Sequence, residues 1–384
     1  MAAACRDMAA RFQAGGRLLV FGTGGAATDA EHVAVEFVHP VIVGKRALPA
    51  LSLASDSAML TGVAAAQGPD AIFSHELLTL GRRGDIAMGL SGGDDDIAVR
   101  RGLAAARAAG MLTVALAGGD GSRLAAEVDH TFVTRSDDPL VVKEAHVTTY
   151  HMLWELVHVF FDTPVGVAPE PGGVESLYPF LYGGAHDAAE VLDSVAESTV
   201  AKIKEVVALR AETGERLATP IAECARRLAA AFTAGATLWA FGNGGSSTDA
   251  QDVVHTFLDP AGDRRPLPAL CLTSDTAIIT ALANDAGFDV VFARQIRAFG
   301  RPGDIALGLS TSGGSTNVLS AFEEAKRAGL TTVGIAGYGG GLMAELDSLD
   351  HLFAVTSSSV HRVQEVQTTI YHVLWELVQC ALAA

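Results

Sequence analysis

Cysteine, basic residues and long apolar runs are all scarce in this chain. Its four cysteines lie far apart among 384 residues and form no CxxC pair, which disfavours a disulfide framework and a cysteine-ligated metal, and fits a reducing cytoplasm. The 27 lysines and arginines face 44 aspartates and glutamates, giving a net charge of −17, so we expect no general attraction to nucleic acid or anionic membranes. No run of about 18 uncharged apolar residues occurs, which predicts no membrane span. We therefore expect a cytoplasmic protein that binds an anion only at a local site of N–H groups, hydroxyls and helix ends.

What the chain does contain is an internal repeat. The segment FGTGGAATDAEHVAVEFVHP from Phe21 matches FGNGGSSTDAQDVVHTFLDP from Phe241 at ten of twenty positions, with an offset of 220. GRRGDIAMGLS, which ends at Ser91, matches GRPGDIALGLS, which ends at Ser310, and YHMLWELV from Tyr150 matches YHVLWELV from Tyr371. Three anchors in the same order indicate two copies of one domain, called here the first and the second copy.

Each copy alternates short apolar runs with Ala-rich helical stretches, the pattern of a parallel sheet covered on both faces. The second copy has an additional helical stretch before its first strand, at about 185–210. A Pro- and Gly-rich segment separates the copies. We predict a first domain at 1–161, a linker at 162–184 and a second domain at 185–384.

The second copy carries a sequence suited to phosphate. STSGGSTN, from Ser310, lies between a predicted strand and a predicted helix, where hydroxyls, free N–H groups and the positive helix end converge. We call Ser310 to Ser315 the cradle. Asn243, Gly244 and Gly245 follow the first strand in a turn whose glycines allow a ligand to approach the backbone. Taken singly, each loop is as well explained by turn formation, but several such elements in order favour a binding site.

FGNGGSSTDA and GLSTSGGSTN resemble the SIS (sugar isomerase) domain family, and within it the D-sedoheptulose 7-phosphate isomerases, or phosphoheptose isomerases. The resemblance covers nearly the whole chain apart from the linker. It implies, in each copy, an α/β fold with a five-stranded parallel sheet flanked by helices, and a zinc-assisted aldose–ketose isomerisation of a seven-carbon sugar phosphate at subunit interfaces. Because that family forms tetramers of single-domain chains, two domains in one chain imply a homodimer with four SIS domains.

The resemblance also implies roles for individual residues of the second copy. Asn284 and Asp285 would hold sugar hydroxyls, and Gln364 and His372 match the family's pair on the last helix. The residues expected to bind substrate are Asn243, Gly244, Gly245, Asn284, Asp285, Ser310, Thr311, Ser312, Ser315 and Gln364.

The first copy differs at the same places. Its cradle equivalent reads SGGDDDIA, so that Asp94, Asp95 and Asp96 would repel a phosphate dianion, and Lys143 replaces the last-helix Gln. It keeps His32 and Glu36, which match family zinc ligands, and His151 on the last helix. His151 is open to three interpretations: a remnant, a packed core histidine, or part of a second metal pocket with His32.

These losses are complementary, and they lead to the hypothesis of a composite site. Glu36 would act as base and His372 as acid, with zinc on His32, Glu36, Gln364 and His372 polarising the carbonyl. The alternative is that the first copy is a degenerate scaffold. In addition, both copies lack the Arg that the family usually has shortly after the catalytic Glu; His39-Pro40 and Asp259-Pro260 stand there instead, which leaves the identity of the substrate open.

Three functions fit this pattern. The first is an isomerase of sedoheptulose 7-phosphate or a related sugar phosphate. The second is a non-catalytic sugar-phosphate sensor that uses the cradle without Glu36, and the third is an interaction protein. The absence of a basic segment or helix-turn-helix argues against a transcription factor and against a nucleic-acid partner.

Overall fold

The computed structural model describes residues 1–42, 44–93, 95–162 and 188–383. It divides into two compact units, Met1–Glu205 and Val206–Ala384. The predicted linker lies outside the described residues except for its first position, and Asp94 lies outside them as well.

The first unit holds a parallel sheet with the strand order β2-β1-β3-β4-β5. Its strands are β1 (Leu18–Gly22), β2 (Ala50–Ser52), β3 (Ile86–Ser91), β4 (Leu112–Ala117) and β5 (His130–Val133). Its helices are α1 (Ala2–Gln13), α2 (Gly25–Val38), α3 (Ser57–Gln67), α4 (Ile72–Leu80), α5 (Ile97–Ala108), α6 (Ser122–Glu127) and α7 (Pro139–Asp162).

The second unit repeats this sheet, with the order β10-β9-β8-β6-β7 and every described pairing parallel. Its strands are β6 (Leu238–Phe241), β7 (Ala269–Cys271), β8 (Ile305–Ser310), β9 (Thr331–Ala336) and β10 (His351–Ala354). The remaining helices are α8 (Ala188–Thr233), α9 (Gly245–Leu258), α10 (Thr276–Ala286), α11 (Val291–Phe299), α12 (Thr316–Arg327) and α13 (Val360–Ala383). The described part of the extra helical stretch predicted at about 185–210 belongs to α8.

Both faces of each sheet are covered by helices. Alternate residues of a strand point to opposite faces, so the residues of one strand divide between two apolar clusters. In β1, Leu18 and Val20 belong to the apolar cluster that includes α7, whereas Leu19 and Phe21 belong to the cluster that includes α4 and α5. The prediction of two five-stranded parallel sheets flanked by helices is confirmed. Among the described residues, every helix is too short or too polar to span a membrane.

The strand order fixes where a ligand is expected in each unit. The chain leaves β6 toward β7 on one side and later returns to β8 on the other, so the connections diverge between β6 and β8. In open parallel sheets, ligands bind at the carboxyl ends of the strands beside such a switch point. The Asn243 turn follows β6 and the cradle follows β8, so both lie at this edge.

Candidate functional site

Three hydroxyl groups of the cradle converge after β8. Ser310 Oγ lies 3.1 Å from Ser315 Oγ and 3.5 Å from Ser312 Oγ. The backbone N–H of Gly313 donates to Ser310 Oγ at 3.2 Å, and that of Gly314 donates to Ser312 Oγ at the same distance. The result is a compact group of neutral donors at the start of a helix, which is a favourable environment for an anion.

The helix that follows the cradle begins without a side-chain cap. Ser315 is the N-cap residue of α12, and its hydroxyl makes no capping hydrogen bond. The N-terminus of this 12-residue helix therefore keeps its partial positive charge available to a ligand. Thr311, the fourth predicted cradle residue, accepts a hydrogen bond from Gly337 through its backbone carbonyl at 3.1 Å.

Glycines after β9 allow the backbone to pack directly against the cradle. A Cβ on Gly341, whose φ is +51°, would lie 2.2 Å from the carbonyl oxygen of Ser312. A Cβ on Gly313, with φ of +64°, would lie 2.0 Å from that of Gly340. Larger side chains at these positions would displace the loop, so the glycines set the shape of the cradle.

A pair of asparagines joins the two predicted binding loops. Asn243 and Asn317 each donate an amide hydrogen to the other's carbonyl oxygen, both at 2.9 Å. Asn317 is buried at the start of α12, so this reciprocal bond ties the turn after β6 to the loop after β8. Sequence reasoning included Asn317 in the motif without assigning it a role, because only the folded sheet makes the two strand ends neighbours.

A pocket of about 220 Å³ opens beside the Asn243 turn. Its walls include Asn243, Gly244, Thr276, Thr280 and Phe288. The predicted sugar-binding residues Asn284 and Asp285 are not among its lining residues. They lie on the exposed end of α10, where Asn284 Nδ2 donates to Asp285 Oδ1 at 2.7 Å.

The last helix of the second copy buries its two predicted residues. Gln364 and His372 are each 2% exposed on α13. His372 Nε2 lies 3.5 Å from Asp252 Oδ2, and the same carboxylate oxygen accepts the hydroxyl of Tyr371 at 2.8 Å. Burial, followed by the charge of Asp252, raises the pKa of Tyr371 well above its ordinary value, so Tyr371 is a neutral donor.

The first copy closes its equivalent of the cradle with its own side chains. Asp96 is the N-cap of α5, and its carboxylate accepts the backbone N–H of Val99 at 3.0 Å. Its other oxygen accepts the hydroxyl of Thr23, which follows β1, at 2.5 Å. The helix N-terminus is thus occupied by an internal carboxylate, which leaves an outside anion poorly matched.

Three potential metal ligands meet in the first copy. His32, Glu36 and His151 are buried, and they offer ligand atoms that all lie within 4.8 Å of one another. His32 Nε2 is 3.6 Å from Glu36 Oε1, because the two residues are one turn apart on α2. His151 reaches them from α7, with its ring centroid 5.4 Å from that of His32. Of the interpretations that the sequence left open for His151, this placement agrees with a metal pocket shared with His32.

The donor set of this cluster fits a divalent metal. Two imidazole nitrogens and a carboxylate oxygen are ligands that zinc accepts at about 2.0–2.2 Å. Trp154 Nε1 donates to the backbone carbonyl of Glu36 at 2.7 Å, which fixes α2 against α7. The other two predicted zinc ligands, Gln364 and His372, belong to the second unit.

Lys143 stands where the second copy has Gln364, and its ammonium is directed at α2. Nζ donates to the carbonyl of Gly25 and the hydroxyl of Thr28, each at 2.7 Å, and lies 3.0 Å from Asp29 Oδ1. Three acceptors match the three hydrogens of an ammonium group. Burial lowers the pKa of the neighbouring His146 to about 4, and the charge of Lys143 acts in the same direction, so His146 is neutral.

Comparison with known proteins agrees with the family that the motifs indicated. The sequence model described as "SIS domain" matches residues 1–118 and 203–337. The phosphoheptose isomerase of Roseiflexus sp. (strain RS-1) is 40% identical over 191 residues, which is 50% of this chain and 96% of that protein. The phosphoheptose isomerase of Desulfovibrio desulfuricans is 43% identical over 186 residues, 48% of this chain and 88% of the relative.

A solved structure resembles the chain over nearly its full length. The C-terminal domain of glucosamine-fructose-6-phosphate aminotransferase from Francisella tularensis covers 98% of this chain with 87% of its own, at a TM-score of 0.64. Its sequence identity is 9%, so the likeness concerns the fold alone.

Proposed function

Because the chain belongs to the SIS domain family, we propose that it is an aldose–ketose isomerase acting on a sugar phosphate, with sedoheptulose 7-phosphate as the first candidate substrate. The relatives named phosphoheptose isomerase support this choice, since they are about 40% identical over half of the chain. They support the reaction class more strongly than the particular sugar.

The observation that carries the proposal is the open cradle of the second copy. Ser310, Ser312 and Ser315 present hydroxyls at an uncapped helix N-terminus, beside a pocket of about 220 Å³. A phosphate group matches the first feature, because its oxygens accept hydrogen bonds and its charge is stabilised by the helix end. The pocket would take part of the sugar.

The reaction requires a base, an acid and stabilisation of an enediolate. In the proposal, Glu36 removes a proton from the carbon next to the carbonyl group, and His372 exchanges a proton with a substrate oxygen. The residues that would hold a zinc ion are His32, Glu36 and His151. A bound divalent metal supplies Lewis-acid polarisation of the substrate carbonyl.

We propose that the two copies divide these tasks in a composite site. The second copy would hold the phosphate and the sugar through Asn243, the cradle and Gln364, and the first copy would contribute His32 and Glu36. The complementary residue sets support this division, since the cradle-bearing copy has Thr256 where the first copy has Glu36. Sites at subunit interfaces, which the family resemblance implies, also favour it.

The same family argument leads us to propose a homodimer with four SIS domains, working in a reducing cytoplasm. No disulfide joins the cysteines of the described residues, which are Cys5, Cys224, Cys271 and Cys380, and this suits that compartment. Sedimentation or light scattering that reports about twice the chain mass of 39.7 kDa would support the dimer, and a monomer would contradict it.

The activity test uses the full chain with sedoheptulose 7-phosphate, with and without zinc, followed by NMR of the aldose phosphate. We expect turnover in the parent protein and a loss of at least about 100-fold in Glu36→Gln, because a general base contributes roughly 10²–10⁴-fold. Thr256→Val is the matched control, since Thr256 is the buried counterpart of Glu36 in the second copy. It should retain turnover.

A sugar-phosphate sensor is the second candidate. It is favoured by Asp252 and Thr256, which replace the His and Glu pair in the very copy that carries the cradle. Binding of sedoheptulose 7-phosphate without turnover, unchanged in Glu36→Gln, would support the sensor and contradict the isomerase.

A further inference from the structure

The chain has three asparagines, and two of them bind each other beside the cradle. Asn243, Asn284 and Asn317 all belong to the second copy. Asn243 Nδ2 donates to Asn317 Oδ1 and Asn317 Nδ2 donates to Asn243 Oδ1, both at 2.9 Å. Asn317 is 3% exposed, whereas Asn243 is half-buried and lines the pocket of about 220 Å³. A buried amide thus holds an amide that a ligand can reach.

The first copy lacks both amides of this pair. Thr23 stands at the position of Asn243, and Ala98 stands at the position of Asn317. The hydroxyl of Thr23 donates to Asp96, the carboxylate that caps α5, so the first copy joins its two loops through a charged group at the helix N-terminus. The asparagine pair joins the corresponding loops of the second copy without placing a charge there. The start of α12 therefore stays available to an anion.

From this geometry we infer that Asn317 is a positioning residue that orients the amide of Asn243 for the sugar, and so helps the site to select a sugar phosphate over phosphate alone. This inference rests on the proposed function, in which Asn243 contacts the sugar and the cradle binds the phosphate. Asn317 is buried, so the task that we assign to it is carried out through Asn243.

The physical reason lies in the hydrogen bonds of a primary amide. Its nitrogen donates two hydrogens and its oxygen accepts two. The reciprocal pair uses one hydrogen and one lone pair of Asn243, which leaves the other hydrogen and the other lone pair for a ligand. Two bonds to a single buried partner also prevent the amide from turning over and exchanging its donor with its acceptor. A sugar hydroxyl then meets groups that are already ordered, which lowers the entropic cost of binding.

The affinities of the full chain for two ligands separate an effect on the sugar from an effect on the phosphate. Isothermal titration calorimetry is carried out with sedoheptulose 7-phosphate and with inorganic phosphate. We expect Asn317→Ala to weaken binding of the sugar phosphate about 10-fold, the equivalent of one hydrogen bond, and binding of inorganic phosphate by less than about twofold. Equal losses for the two ligands would show that Asn317 supports only the cradle, and would overturn the inference.

A double-mutant cycle shows whether Asn317 acts through Asn243. Asn243→Ala should weaken binding of the sugar phosphate at least as much as Asn317→Ala does. The double variant should bind it no more weakly than Asn243→Ala alone, because the residue that Asn317 orients is then absent. Losses that multiply in the double variant would mean that the two residues act independently, and would overturn the inference.

Asp304→Asn is the control for a general loss of stability. Asp304 is a buried carboxylate at the amino ends of β6 and β8, the edge of the sheet opposite the cradle. It accepts the backbone N–H of Thr237 at 2.9 Å and Trp239 Nε1 at 3.0 Å. Its substitution should lower the melting temperature and leave both affinities unchanged. A change in the ratio of the two affinities in Asp304→Asn would mean that destabilisation alone explains the effect of Asn317→Ala.

The side-chain amides can also be observed directly, since a chain labelled with ¹⁵N-asparagine contains three of them. The NMR signal of Asn243 is assigned by its disappearance in Asn243→Ala. In Asn317→Ala, we expect this signal to shift and its hydrogens to exchange faster with water. Asn284, on the exposed end of α10, is the internal reference and should not change. An Asn243 signal that is the same with and without Asn317 would overturn the inference.

These measurements distinguish a failure of the inference from a failure of the proposed function. A parent protein that binds sedoheptulose 7-phosphate without converting it would contradict the isomerase, and the affinities would still decide the role of Asn317. A parent protein that binds neither ligand would contradict the proposed function and the inference together. Turnover in the parent with affinities that are unchanged in Asn317→Ala would leave the isomerase intact and overturn the inference.

Discussion

Each copy has a corresponding pair of helices, α2 and α7 in the first and α9 and α13 in the second, and the two pairs bury different side chains. Where α2 meets α7, the first copy groups His32, Glu36 and His151, a set of two imidazoles and a carboxylate. Where α9 meets α13, the second copy has Asp252, Tyr371 and His372, which form a contact between one carboxylate, one phenol and one imidazole. The same pair of helices thus carries three potential metal ligands in the first copy and a buried carboxylate that accepts a tyrosine hydroxyl in the second.

The loops that precede α5 and α12 also differ between the two copies, in how the helix N-terminus is capped. Asp96 caps α5 with its own carboxylate, whereas Ser315 leaves the start of α12 without a side-chain cap. A helix N-terminus whose N–H groups are bound by an internal carboxylate interacts weakly with a phosphate. A helix N-terminus without such a cap can donate those N–H groups to the phosphate. The loop chemistry therefore supports our proposal that the second copy binds the phosphate.

We expect the largest effect at the three potential metal ligands of the first copy. His151→Ala should weaken zinc binding by more than about 100-fold, since removal of a ligand exceeds the 10- to 100-fold typical of its supporting contacts. Competition with a chromophoric chelator measures the affinity. His372→Ala is the matched control, because it removes the corresponding histidine of the second copy, and it should retain zinc. The opposite result would favour the set of His32, Glu36, Gln364 and His372.

We expect an intermediate effect when a cradle residue is replaced by the aspartate that the first copy has at the same position. Ser315→Asp should weaken binding of inorganic phosphate or a sugar phosphate by about 10- to 100-fold, because a carboxylate at that position caps the helix and repels the dianion. Isothermal titration calorimetry measures the change. The reverse substitution, Asp96→Ser, should not weaken phosphate binding, because it removes a carboxylate and a cap from the first copy. Equal affinity in the parent protein and in Ser315→Asp would show that the cradle does not bind the phosphate.

The elements of the fold were predictable because their signals are local. Apolar runs such as those of β3 and β8, each followed by an Ala-rich helix, are enough to predict a parallel sheet. The duplication gave the boundaries of corresponding elements, since each motif appears twice. The order of the strands was not deduced, because pairing depends on contacts between distant segments.

The candidate site was predictable only where one segment carries it. The hydroxyls of the cradle lie within six residues, so the motif indicated their proximity. His151 reaches His32, and Tyr371 reaches Asp252, from 119 residues away, and a single sequence gives no measure of that packing. Alignment of the two copies pairs Asp252 with His32, but it does not show that Asp252 accepts the hydroxyl of Tyr371.

We expect the smallest effect at one pair of corresponding residues, Glu76 on α4 and Gln295 on α11. Gln295 donates its amide to the carbonyls of Leu272 and Val291, each at 3.0 Å. Glu76 occupies the same position in the first copy, is 4% exposed, and has a carboxyl oxygen with no hydrogen-bond partner among the described residues. Burial, and then the charge of Asp56, raises the pKa of Glu76 from 4.5 to about 7.

This difference predicts a pH-dependent stability. The pKa of Glu76 is higher in the folded state than in the unfolded state, so folding favours the protonated carboxyl. The contribution of Glu76 to the free energy of unfolding is therefore fully present below about pH 4.5 and is lost as the pH rises through about 7. Glu76→Gln should therefore raise the free energy of unfolding at pH 8 by about 1 kcal/mol, or roughly 2–4 °C in Tm, with a smaller gain at pH 5. Calorimetric scans at both pH values measure this, and Gln295→Glu should show the opposite change. A gain from Glu76→Gln that is equal at pH 5 and pH 8 would mean that Glu76 does not ionise in this range, and that the two copies differ here in packing alone.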